Sequence, residues 1–150
     1  MPLAPPEVRR VTNVINVEAS TSANNMFERG QTWLARDHSE TKLVVSHVDM
    51  NHLRILAKAD MYCNASLGSG LRSMGLGVNV SRLTFNIDFL AKNGSASITY
   101  DELYYYLQDM RYQATKYVQG PSNSVDVNTL YTECILPLHE EFVRHISSNP

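Results

Sequence analysis

The sequence predicts an α+β domain, with about four helices packed on a small antiparallel or mixed sheet of three to four strands. Three observations carry that expectation. β-Branched runs occupy residues 8–18, 41–48 and 78–90. Apolar residues recur at helical spacing over residues 49–66, 98–118 and 127–146. Turn chemistry separates several of these segments, above all Asn93-Gly94 and Gly120-Pro121.

In chain order, residues 1–7 hold three prolines and are expected to form an extended arm. Residues 8–150 are expected to form a single α+β domain. The first strand carries Val8, Val11, Val14, Ile15 and Val17. A short helix, capped by Asn24 or Asn25, then runs to Arg36, with Met26, Phe27, Trp33 and Leu34 as its apolar members. Leu43, Val44, Val45 and Val48 mark a short strand, after which Asp49 caps a helix to Ser66. Residues 67–77 contain four of the seven glycines and read as an irregular loop. The strand at 78–90 changes its alternation near Ser81-Arg82, the signature of a bulge or bend.

The tyrosine-rich run at 98–118 reads as the clearest helix. Thr99 and Glu102 have capping-box spacing, and Tyr100, Leu103, Tyr104, Leu107, Met110, Ala114, Tyr117 and Val118 share one side. Tyr105 and Tyr112, with Tyr106 beside them, form an aromatic patch on another side and are the expected interface residues. The last helix, at 127–146, is capped by Asp126. Pro137 must kink or split it, because proline cannot donate to the carbonyl of Glu133.

The 150 residues, 43% of them hydrophobic, suffice for one folded core and exclude disorder as the default. A net charge of −2 argues against a protein that grips nucleic acid through its overall field. Residues 1–10 lack the apolar core of a signal peptide, and no run is long enough to span a membrane. A soluble, intracellular or virion location is expected, not secretion, with no membrane partner. Cys63 and Cys134 lack CxxC spacing and read as buried free thiols.

No motif supplies a trusted chemistry, and no cofactor or metal is expected. Residues 93–102 resemble the second half of an EF-hand loop, with Asn93, Ser95 and Glu102 at ligand positions. Ala91 and Ala96 stand where that loop needs an oxygen ligand and a glycine, so a turn leading into a capped element explains the same letters. Glycine pairs 68/70 and 75/77 flank Arg72, but they follow a helix and precede a strand, the reverse of a dinucleotide fingerprint. His139 and His145 are six apart and point away from each other on a helix, so they do not form a zinc pair.

Three functional expectations follow, in order. The first is a non-enzymatic structural or adaptor subunit that self-associates or docks into a larger assembly, a viral or phage-like coat or connector protein being one concrete form. The second is nucleic-acid binding through Arg72, Arg54, Lys58 and exposed tyrosines. The third is a small enzyme built on His47, His52 or Cys63, for which convergence of those side chains in one pocket is required. Asp60, set among apolar residues, is expected to pair with Arg72 or Arg82.

Overall fold

A computed structural model describes residues 11–17, 20–36, 38, 41–63, 82–107, 110–113 and 131–147. The expected proline arm, the glycine loop with Arg72, the Gly120-Pro121 stop and the Asp126 cap lie outside them.

Strand β1 (Val11–Asn16) leads into helix α1 (Ala23–Ala35). An antiparallel series follows: β2 (Thr41–Asp49), β3 (Arg54–Tyr62), β4 (Arg82–Lys92), β5 (Ser95–Leu107) and the short β6 (Met110–Gln113). One wide π-helical stretch (Tyr131–Ile135) runs directly into helix α2 (Leu136–Ser147). The sheet order is β1-β5-β4-β3-β2, with β6 pairing the second half of β5 on the side where β1 pairs the first half.

This architecture overturns the expected four helices on three or four strands: among the described residues there are six strands and two helices. Two segments account for the difference. The expected helix at 49–66 is a turn at residues 50–53 followed by β3, in which Ile55, Ala57, Ala59 and Met61 are buried and Arg54, Lys58 and Tyr62 are exposed. That is a period of two, the mark of a strand with one wet face. Over its described residues the expected tyrosine helix at 98–118 is strand: β5 as far as Leu107, and β6 from Met110 to Gln113, with Leu107 opposite Met110. Between Thr84 and Asn86 the β4–β5 register slips, so β5 carries one extra residue there, and Glu102 adopts φ 52°. The buried series Ala96, Ile98, Tyr100 therefore resumes at Leu103 and Tyr105. The bulge opens a three-residue step between Tyr100 and Leu103 that imitates helical spacing. Thr99 and Glu102 cap nothing.

Elsewhere the elements stand near where the residues indicated. Helix α1 is capped by Ser22, whose hydroxyl accepts from the Asn25 amide at 3.1 Å, in place of Asn24 or Asn25. Pro137 falls at the second residue of α2, where the change from π-helical to α-helical winding splits the C-terminal helix. Asn93-Gly94 makes the β4–β5 turn, with Gly94 at φ 72°, a conformation that favours glycine. The turn is bolted to the start of α1. Asn93 Oδ1 accepts from the Ala23 amide at 2.7 Å, and the Gly94 amide donates to the Thr21 carbonyl at 2.7 Å.

Both helices lie on one face of the sheet. Phe89, Phe142 and Trp33 form its centre, with Phe142 edge-on to Phe89 at 5.5 Å and to Trp33 at 4.8 Å between ring centroids. Gly30 lets α1 approach β4, since a Cβ there would stand 2.6 Å from Phe89 Cζ. The Tyr100 hydroxyl on β5 and Nδ1 of the buried His139 on α2 share a hydrogen bond of 2.8 Å. Tyr131 stacks beside them and accepts from the Asn13 amide of β1 at 3.1 Å. The expected free thiols are instead a disulfide, Cys63–Cys134, with a Cα–Cα distance of 5.5 Å, tying the end of β3 to the π-helical stretch. Their 71-residue separation hid the pair from any spacing rule.

Candidate functional site: the bare face of the sheet

Alternation sends every second side chain of the sheet away from the helices. On β3 these are Arg54, Leu56, Lys58, Asp60 and Tyr62; on β4, Arg82, Thr84, Asn86, Asp88 and Leu90. After its bulge β5 contributes Tyr104 and Tyr106, which stand opposite Thr84 and Arg82. No described helix covers this face.

Its charges are largely paired across strands. Arg54 grips Asp88 through Nε and Nη2 at 2.8 and 2.6 Å, and Arg82 grips Asp60 in the same two-pronged way at 2.7 and 2.5 Å. The hydrogen bond that each guanidinium donates to its carboxylate holds it above the ordinary arginine range. Arg82 also lies over the Tyr106 ring, 4.7 Å from its centroid. Asp60 thus finds one of its two expected partners, but on the open face and half-buried.

Between the two ion pairs lies an open depression of about 740 Å³, lined by Lys42, Val44, Lys58, Thr84, Asn86 and Tyr104 among others. Lys42 and Lys58 form no ion pair among the described residues, although Lys42 stands directly opposite Asp60 in the ladder. Two ammonium groups beside an amide and a hydroxyl can recognise carboxylate or phosphate oxygens. They lack the arrangement of nucleophile and base that bond breaking requires.

The residues singled out from sequence are distributed as follows. Lys58 lines the depression and Arg54 is occupied by Asp88. Tyr105 is 8% exposed and packs in the core, whereas Tyr106 is half-buried on the open face under Arg82. Tyr112 pairs with Tyr105 in the β5–β6 ladder, and its side chain lies outside the described residues, as does Arg72. His52 Nδ1 bonds Asp49 Oδ2 at 2.7 Å in the β2–β3 turn, and this hydrogen bond holds the Asp49 carboxyl below its usual range. Cys63 is at the other end of β3, nine residues from Arg54 or roughly 30 Å along a strand. The histidine–cysteine group therefore does not converge. The same rise separates Asn93 from Glu102 by roughly 30 Å, too far to share one ion. Lys42, Thr84 and Asn86 escaped sequence reasoning. The signal that could have found them was the strict alternation through β3 and β4.

No protein-family model matches the sequence, and no curated protein matches it. Among solved structures, the fold is similar to that of a DUF4468 family protein from Bacteroides ovatus, with a TM-score of 0.63 and 10% identity over 98% of this chain and 91% of that one. It is also similar to a TBP-like protein from Parabacteroides distasonis, with a TM-score of 0.61 and 12% identity over 91% of each chain. At such identities the likeness is one of fold: these proteins share the arrangement of sheet and helices.

Proposed function

We propose that the protein is a non-enzymatic structural subunit that self-associates through the side of the sheet its helices leave bare. The observation that carries this reading is the uneven use of the two faces. Both described helices, the disulfide and the buried tyrosine–histidine contact serve one face. The other presents a broad mosaic of paired charges, tyrosines and, in its depression, Lys42 and Lys58, which form no ion pair among the described residues. Paired charges beside aromatic rings suit a protein interface, where tyrosine and arginine are enriched and lone charges are costly.

Nucleic-acid recognition has less to draw on. Among the described residues, Arg54 and Arg82 are neutralised by Asp88 and Asp60, which leaves Lys42 and Lys58, with Lys92 at the end of β4, as the cations of this face without an ion pair. The disulfide supports residence in an oxidising compartment, whereas the sequence led to the expectation of an intracellular or virion location. No helix among the described residues is long and apolar enough to cross a membrane.

Light scattering on the purified chain over a concentration series tests the reading. A mass that rises above 16.9 kDa with concentration is expected; a mass fixed at 16.9 kDa throughout overturns it.

A further inference from the structure

Strand β2 ends the sheet. One edge pairs with β3; on the other, among the described residues, only Thr41 is engaged, by an isolated bridge to His38. A free edge offers a row of backbone donors and acceptors to any incoming strand, and proteins commonly blunt it with a bulge or a lysine. β2 has both, but placed so that the strand is complementary to itself.

Lys42 and Val44 lie on the open face, while Leu43, Val45 and Val48 are half-buried toward the helices. The register slip between Val45 and His47 then returns His47 and Asp49 to the open face. Opposed residues of an antiparallel pair must point to the same face. Laid against a reversed copy of itself, β2 meets that condition in the register Lys42–Asp49, Leu43–Val48 and Val44–His47. The two bulges then fall opposite each other at the twofold axis. A shift of one residue opposes Lys42 to Val48 and mixes the faces everywhere. A shift of two in one direction, Val44 to Asp49 and Val45 to Val48, keeps the faces but forfeits the lysine–aspartate contacts, and in the other direction it sets Val44 of the open face against Val45.

We propose that two copies of the chain join β2 to β2 in this register, with Lys42 of each copy against Asp49 of the other, making one continuous sheet. The inference rests on the self-association reading above and adds to the open face a contact at its β2 edge. The apolar residues agree with it. Val44 is 49% exposed and Met50 64% exposed. An isologous contact of this kind closes on itself as a dimer. Lys42, which would repel most incoming strands, meets a carboxylate here. Lys58 lies one strand further in, on the face of β3, and has no role at this edge.

Sedimentation velocity on the full chain and three variants tests the proposal. Lys42→Glu sets carboxylate against carboxylate twice per dimer and is expected to weaken association about tenfold or more. Asp49→Asn keeps an oxygen for the Asn51 and His52 amides of the turn, and is expected to weaken association several-fold. Lys58→Glu, on the open face, is expected to weaken association less than Lys42→Glu does. Association that withstands Lys42→Glu but yields to Lys58→Glu overturns the edge and leaves self-association through the face standing. A wild-type chain that stays monomeric overturns both.

Discussion

The two faces of the sheet are built by opposite means. Toward the helices, stability comes from burial: Phe89, Trp33 and Phe142 interlock, and the buried His139 is hydrogen-bonded to Tyr100. On the bare face the contacts are cross-strand and wet, and the side chains of Arg54 and Arg82 remain about half exposed. Exposed ion pairs add little stability because water screens them. The second face is therefore free to be spent on recognition, since little of the fold depends on it.

That contrast breaks most visibly where the core is cut. Phe142→Ala removes the ring shared by Phe89 and Trp33 and is expected to cost about 3–5 kcal/mol in chemical denaturation. The exposed Tyr62→Ala is expected to stay within about 0.5 kcal/mol by the same measurement. Next in size is the disulfide. Reduction, or Cys134→Ala with Cys63→Ala, is expected to lower stability by about 2–4 kcal/mol, read as a drop in Tm, because it frees a loop of 71 residues.

A smaller effect follows from acid. Burial holds His139 below its ordinary 6.5, so the folded state keeps it neutral and the unfolded state takes up the proton first. Stability conferred by the neutral ring is complete above 6.5 and declines as pH falls from there through the lowered folded value. His145, lowered by burial and by Arg36, contributes in the same direction. His139→Gln, which preserves an acceptor for Tyr100, is expected to flatten part of this slope in a pH series of thermal melts. The smallest effect belongs to the bare face: Arg54→Ala or Arg82→Ala is expected to cost about 0.2–1 kcal/mol, less at high salt.

How legible the molecule was depended on how regular each element is. β1, β2 and α1 were readable because Val11, Leu43 and the Met26–Phe27–Trp33–Leu34 set follow simple periods. β3 was misread because Ala57 and Ala59 favour helices by propensity, and their burial here comes from tertiary packing that propensity does not see. β5 was misread because one extra residue near Glu102 moved its period out of phase. The site suffered with it. With Asp49 to Ser66 taken as a helix, Arg54 and Lys58 shared a helical side, and their neighbours Thr84, Asn86 and Asp88 on the adjoining strand could not be seen as part of the same surface. The Asp60–Arg82 pair was reachable because a charge amid apolar residues demands a partner in almost any fold. The disulfide was not, since only the fold brings the two cysteines together.

Amide hydrogen exchange compared between dilute and concentrated protein tests the division of labour between the faces most directly. Added protection at high concentration is expected in the sheet, strongest along β2, with none gained in α1 or α2. Protection gained by the helices, or by no segment at any concentration, would contradict it.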